Sequence, residues 1–260
     1  MKKIILLTLV AICTSTAIAQ TKAWKIALHV DPNVAWLKPD NNNLTSDGTR
    51  LNFGYGISID KMFTDNYAIA TGLQIFNAGG KLNYFREDIA ENSINDSTYK
   101  SIAKINRVYK LKYLEIPLTL RLRTNEVGYI TYWVQVGVGL GFNIKARADD
   151  SIEYTDIYNN GDWDRPNANI LDRTDENIDI NDEVQLFRTS LIAGGGIEYN
   201  LSGDVSLVAG IIYNNAFSNV LKGDGVSSDG DQPDFSQDKP QTFKMKAISN
   251  ALSLQVGILF

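Results

Sequence analysis

The sequence predicts an all-β fold, an eight-stranded antiparallel up-and-down barrel that crosses a membrane with its strands. Three observations lead there. Apolar and polar residues alternate with period two in eight separate segments, and the connections between them alternate between tight turns and long polar stretches. After the amino terminus, no stretch approaches the roughly 18 unbroken apolar residues of a transmembrane helix.

The amino terminus reads as an address. Lys2 and Lys3 precede the run Ile4–Ile12, and Ala17-Ile18-Ala19 places small residues where signal peptidase cuts. Residues 1–19 are therefore expected to be a signal peptide removed before Gln20, and residues 20–260 a single barrel domain. The run is too short to span a hydrocarbon core of about 30 Å as a helix. Ile12, where lipoprotein processing needs a small residue, argues against Cys13 as a lipidation site. Cys13 is the one cysteine of the chain, so the exported part carries none and an oxidising compartment poses no pairing question.

The strands follow in order. Trp24, Ile26, Leu28 and Val30 stand opposite Lys25, Ala27, His29 and Asp31. In Leu51 to Phe63 the odd positions are apolar except Lys61, against Asn52, Gly54, Gly56, Ser58 and Asp60. A third segment runs from about 67 to 77. In the fourth, Leu114, Ile116, Leu118, Leu120 and Leu122 oppose Glu115, Pro117, Thr119, Arg121 and Arg123. In the fifth, the even positions from Ile130 to Ile144 are apolar, while Thr131 to Lys145 are largely glycine and polar. The remaining segments cover about 184–200, 205–217 and 247–260. Each is long enough for a tilted membrane strand of about 9–11 residues. Thr64-Asp65-Asn66, Thr124 to Gly128 and Leu201 to Asp204 are tight turns, whereas 38–50, 78–107, 148–183 and 218–246 are expected to be long loops. Short and long alternate strictly, which puts the turns at one rim and the loops at the other.

Which face meets lipid follows from the polar side. A soluble ligand-binding barrel turns its apolar face inward. Here the opposite face carries glycines and charges, so the apolar face belongs outside against lipid. Lipid offers no hydrogen-bond partner, which forces the strands to close into a ring. At the carboxyl terminus Ile248, Leu252, Leu254, Val256, Ile258 and Phe260 share one face. The last four form the expected signal for the outer-membrane insertion machinery.

The chain resembles the Bacteroidetes outer-membrane β-barrel proteins grouped around PorT. The likeness rests on Tyr113-Leu114-Glu115-Ile116-Pro117-Leu118-Thr119-Leu120, Val136-Gly137-Val138-Gly139-Leu140-Gly141, Ala193-Gly194-Gly195-Gly196-Ile197-Glu198-Tyr199 and Leu252 to Phe260. The Leu-Glu-Ile-Pro-Leu stretch is its most specific part. The resemblance implies an eight-stranded outer-membrane barrel of a Gram-negative bacterium, and it brings type IX secretion, with which PorT is associated, into view.

The registers predict a lumen charge cluster of Asp60, Glu115, Arg121, Arg123, Lys145, Arg188 and Glu198. A barrel of eight strands is filled by side chains, so opposite charges there are expected to pair and plug it. Pro117 has no N–H to give a ladder, so a bulge is expected near it. His29 and Asp31 share a face, with Ser58 and Ser190 also inward, the residue types of a lipid-hydrolysing rival to the non-enzymatic reading. A narrow pore is a further rival.

The segment 148–183 holds twelve acids against Arg165 and Arg173. Asp179-Ile180-Asn181-Asp182-Glu183 has calcium-ligand types but lacks the spacing of a calcium loop. Trp24, Trp36, Tyr67, Tyr129, Tyr132 and Tyr199 are placed for interfacial girdles. Lys+Arg at 25 against Asp+Glu at 30 gives a net charge of -5, the wrong sign for nucleic acid. One histidine cannot build a multi-histidine metal site, and no cofactor is implied. The expected partners are outer-membrane lipids, lipopolysaccharide, the insertion machinery and secretion-system proteins.

Overall fold

The computed structural model describes residues 24–92, 94, 97–159, 162–164, 170–229, 232–233 and 240–260; the expected signal peptide and its cleavage site lie outside them. Eight strands form the wall: β1 (Trp24–Pro39), β2 (Thr49–Thr64), β3 (Tyr67–Glu91), β4 (Thr98–Arg123), β5 (Ile130–Asn159), β6 (Phe187–Ser202), β7 (Val205–Ala216) and β8 (Ala247–Leu259). Each pairs antiparallel with its neighbour in sequence, and β8 pairs with β1 through registers such as Ile258 opposite Leu28. The ring is closed. Among the described residues no helix is long and apolar enough to cross a membrane.

Two of the expected loops are largely strand. Residues 78–91 and 98–107 continue β3 and β4 as one paired hairpin, from Gly79 opposite Lys110 to Glu91 opposite Thr98. β5 likewise runs on to Asn159 beside β4. The reason lies in the faces of β4. Through the membrane its even positions Ile116, Leu118, Leu120 and Leu122 are exposed, while Glu115, Thr119, Arg121 and Arg123 are buried. Beyond Tyr113 the odd positions stay inside but become apolar: Leu111, Tyr109, Ile105 and Ala103 are buried, and Lys112, Lys110 and Lys104 lie on the other face. The period persists while the chemistry of its two faces exchanges.

Above the membrane, then, the barrel is an ordinary soluble β-structure with its oil inside. Its core gathers Leu37, Leu44, Leu82, Tyr84, Ile152 and Val220 with the β4 residues just named. Burial of such apolar surface contributes about 25 cal/mol per Å². That makes the extension a folded body and not a set of loops. A short strand, Arg173–Asp179, pairs along β5 as part of the same extension.

At Gly80 β3 passes close against β1. A Cβ at Gly80 would lie 2.7 Å from the Leu37 nitrogen and 3.0 Å from the Trp36 Cα, and its φ is +156°. Only glycine tolerates that approach of one backbone on another. β3 also parts from β2. Their ladder stops at Tyr55 opposite Ile75, and pairing resumes only where Thr45–Ser46 meet Leu82–Asn83, leaving a groove in the outer wall.

The bulge expected at Pro117 does not form. Pro117 sits opposite Gly139 without a shift of register, and on the β3 side the ladder skips Pro117 and Ile116 between Thr71–Leu118 and Gln74–Glu115. The Thr71 hydroxyl donates to the Pro117 carbonyl at 2.9 Å, so that acceptor keeps a partner where the ladder is interrupted.

Gly80→Val is expected to cost about 1–3 kcal/mol through overpacking. The membrane barrel should still give a heat-modifiable gel shift, while residues 78–107 become sensitive to added protease. Protease resistance equal to the parent protein would show that the close approach is not needed.

Candidate functional site

Inward-facing residues of the eight strands build three stacked polar layers, each organised by arginine. Nearest the tight turns, Arg121 Nη1 donates to Asp60 Oδ2 at 2.8 Å, and Arg121 Nη2 donates to Gln135 Oε1 at 2.7 Å. Arg123 Nε donates to Glu198 Oε1 at 2.8 Å, and Arg123 also pairs with Asp60. Trp133 lies in the same layer, its ring 5.0 Å from the Arg121 guanidinium. Gly210 makes room for that indole, since a Cβ there would meet the Trp133 ring at 2.4 Å.

The second layer is centred on Arg188. Its Nη1 donates to Glu115 Oε2 at 2.9 Å, and its Nη2 donates to Asn214 Oδ1 at 2.6 Å and to the Ser249 carbonyl at 3.1 Å. Gln74 donates to the other Glu115 oxygen at 2.7 Å. Phe76 covers the guanidinium face at 4.8 Å. Arg188 and Glu115 are 1% and 0% exposed, so each ion is held entirely by protein groups. Losing hydration of two ions costs several kcal/mol each unless paired and hydrogen-bonded, and every contact above serves that end.

The third layer lies above the membrane. Arg107 makes a two-pronged contact with Asp150, Nε to Oδ1 and Nη2 to Oδ2, both 2.6 Å, and also pairs with Glu183. Burial works against its charge, but the hydrogen bonds to Asp150 outweigh that and raise its pKa, so it remains a cation. Burial likewise pushes the Tyr109 hydroxyl well above its ordinary range.

Of the residues expected in the lumen, Asp60, Glu115, Arg121, Arg123, Arg188 and Glu198 are all buried there, in the first two layers. Lys145 is a correction. The β4–β5 register shifts between Lys112 and Tyr113, whose partners are Lys145 and Asn143. Ile144 is the extra residue of that bulge, and the flip of parity turns Lys145 outward while Ala146 is buried. Gln74, Gln135, Trp133 and Asn214 complete the layers; their inward parity was visible in the strands, but neutral residues gave no charge signal.

His29 Nδ1 lies 2.7 Å from Asp31 Oδ2, both buried in the lumen. Together with Ser58, Gln74, Thr119 and Arg121 they border a void of about 40 Å³ between the first two layers. Such a void admits a few waters at most, since each needs roughly 10–15 Å³. An acyl chain does not fit. Of the acidic segment, Asp149 meets Lys110 at 2.5 Å, Asp175 meets Arg173 at 2.9 Å and Asp179 meets Arg147 at 3.2 Å. Among the described residues no cluster of three His, Cys, Asp or Glu side chains is placed to hold a metal ion. Leu254, Ile258 and Phe260 are 51%, 42% and 45% exposed on the lipid face, with Val256 between them half-buried.

An oily exterior around a charged, filled interior defines an integral membrane β-barrel of the outer-membrane class. The model of the family described as the outer membrane protein beta-barrel domain matches residues 4–246. The chain belongs to that family, which places it in the outer membrane of a Gram-negative bacterium. No curated protein matches. Among solved structures it is similar to Ail, the attachment invasion locus protein of Yersinia pestis, in complex with the heparin analogue sucrose octasulfate. That match has 12% identity, covers 91% of this chain and 99% of the other, and has a TM-score of 0.34. It is also similar to OprG from Pseudomonas aeruginosa, at 11% identity, covering 92% and 96%, with a TM-score of 0.40. OmpT, the outer membrane protease from Escherichia coli, matches at 9% identity over 95% and 99%, with a TM-score of 0.33.

Arg188→Ala leaves Glu115 buried without its partner and is expected to cost about 3–5 kcal/mol, while the Arg188→Met, Glu115→Gln double variant recovers most of it. Urea unfolding of the refolded barrel, followed by tryptophan fluorescence, reads both. A loss below about 1 kcal/mol in the single variant would mean that the charge is reached by water.

Proposed function

We propose that this protein is a closed, non-enzymatic membrane anchor that holds a rigid extension above the outer membrane for contact with an envelope partner. The observation that carries the reading is the filled interior. Two arginine layers occupy the membrane part, and the apolar core of the extension lies on top of them. Among the described residues the void between those two layers is the size of a few waters, which supports a lumen closed to solutes. The likeness to the PorT group favours a secretion assembly as the partner, and the stiffness of a paired β3–β4–β5 wall suits a docking platform. The His29–Asp31 contact serves the interior polar network in this reading, because a substrate has no route to it.

Reconstituted in planar bilayers, the protein should conduct no more than background at physiological salt. Sustained single-channel steps would replace the anchor with a pore. His29→Ala should leave the lipid profile of the outer membrane unchanged, and a changed profile would restore the hydrolytic reading. A pull-down from detergent-solubilised outer membranes should retain another envelope protein, and loss of that partner when residues 82–107 are replaced by a short turn would place the contact on the extension.

A further inference from the structure

A patch of cations stands out on the outer wall of an acidic protein. Lys110 and Lys112 of β4 face Arg147 and Lys145 of β5 as direct cross-strand neighbours, Lys112 opposite Lys145 and Lys110 opposite Arg147. Two like-charged pairs stacked on one face are destabilising on their own. Acids relieve only one of the two pairs: Asp149 lies 2.5 Å from Lys110 and Asp179 lies 3.2 Å from Arg147. Among the described residues no ion pair is made by Lys112, Lys145 or Arg50.

These side chains border one cavity of about 510 Å³, open to the side, at the groove where β2 and β3 part. Asn77 spans the groove, its Nδ2 donating to the Phe53 carbonyl at 2.5 Å. The opposite wall is apolar, with Leu51 and Phe53 exposed at 79% and 53%. The height is set by the strands. Lys112 and Lys145 follow directly on Leu114 and Ile144 at the top of the lipid-facing band, and a strand rises about 3.3 Å per residue. Cations there sit at the headgroups of the outer leaflet, with an oily wall beside them. The field at the patch is legible in Asp149. Burial alone would raise its pKa, but the Lys110 and Asn177 hydrogen bonds and the charges of Lys110 and Arg50 hold it below the usual carboxylate range.

We infer that this cavity binds a phosphate group of an outer-leaflet glycolipid, between Lys112, Lys145 and Arg50, with an acyl chain laid along Leu51 and Phe53. A phosphate ester supplies the anion that separates the facing lysines, and charge-assisted N–H···O contacts of this kind are about twice as strong as neutral ones. Such a site lies outside the lumen and goes beyond the anchor reading, which stands or falls by conductance.

The test is a titration of the full chain, folded in zwitterionic detergent, with diphosphoryl lipid A, its dephosphorylated form and inorganic phosphate, read by native mass spectrometry. One diphosphoryl molecule should bind, with at least tenfold weaker binding of the dephosphorylated form. The Lys112→Gln, Lys145→Gln double variant should lose at least tenfold as well. Both lysines are at the surface and unpaired, so its heat-modifiable gel shift should be retained; Lys145→Gln alone serves if it is not. Equal binding of the dephosphorylated lipid, unchanged binding by the variant, or displacement by equimolar inorganic phosphate would overturn the assignment.

Discussion

Hydrocarbon gives a polypeptide nothing to bond to, so every amide inside it must find its partner within the protein. For a chain built of strands this leaves the closed ring, and closure then dictates the rest. Once β1 pairs with β8, each strand has one face toward lipid and one toward a cylinder too narrow for bulk water. Side chains must fill that cylinder. They must also differ from the outer set, or neither face is specified. Arginine meets both demands: it is large, permanently charged and able to satisfy several acceptors from one planar group, as Arg188 does with Glu115, Asn214 and Ser249.

The same logic explains where the lumen chemistry stops. Above the hydrocarbon the outer face meets water, and the distinction is drawn with the opposite sign. At Tyr113–Leu114 two bulky residues stand in succession, one the first of the inward apolar series and the other the last of the outward one. The Ile144 bulge on β5 lies beside this boundary. The third arginine layer carries the buried charge of the extension, and there Arg107 is met by Asp150 and Glu183 while two tyrosine rings cover it at 5.6 and 6.0 Å.

How much of this is legible in the sequence depends on which cue each element carries. The membrane segments are plain, because an oily even series in β4 and β5 has no other destination. The extension is not, since residues 78–107 mix Lys, Asn and Arg with Leu, Tyr and Ile in a way that resembles a polar loop when one expects oil to face out. Reading the odd positions alone, Ala103, Ile105, Tyr109 and Leu111, would have exposed the strand. Lys145 fails for a related reason. Alternation predicts its side faithfully until a residue is inserted, and after the bulge Ile144 and Lys145 both face outward while Ala146 takes the inward place. Arg107 and Asp150 are invisible as a pair because 43 positions separate them, and only the β4–β5 register brings them together.

An interior of ion pairs is not the most stable filling available, since well-packed apolar residues of similar volume often do as well or better by about 1–4 kcal/mol. Yet replacing Glu115, Arg121 and Arg123 with leucine or methionine would bring the inner face of β4 close to its oily outer face, Ile116, Leu118, Leu120 and Leu122. A one-residue slip of register, which moves every side chain to the other face, would then carry less penalty. With the ions in place a slip of β4 would turn Glu115, Arg121 and Arg123 toward lipid, at a cost of about 2–4 kcal/mol for an arginine at the midplane and less for a carboxylate or nearer the interface. The ions thus separate the correct from the slipped barrel, a distinction the apolar alternative would weaken. Polar filling trades a little stability of the finished barrel for a unique answer to which side faces out, and the close packing that excludes solutes from the lumen follows as a consequence.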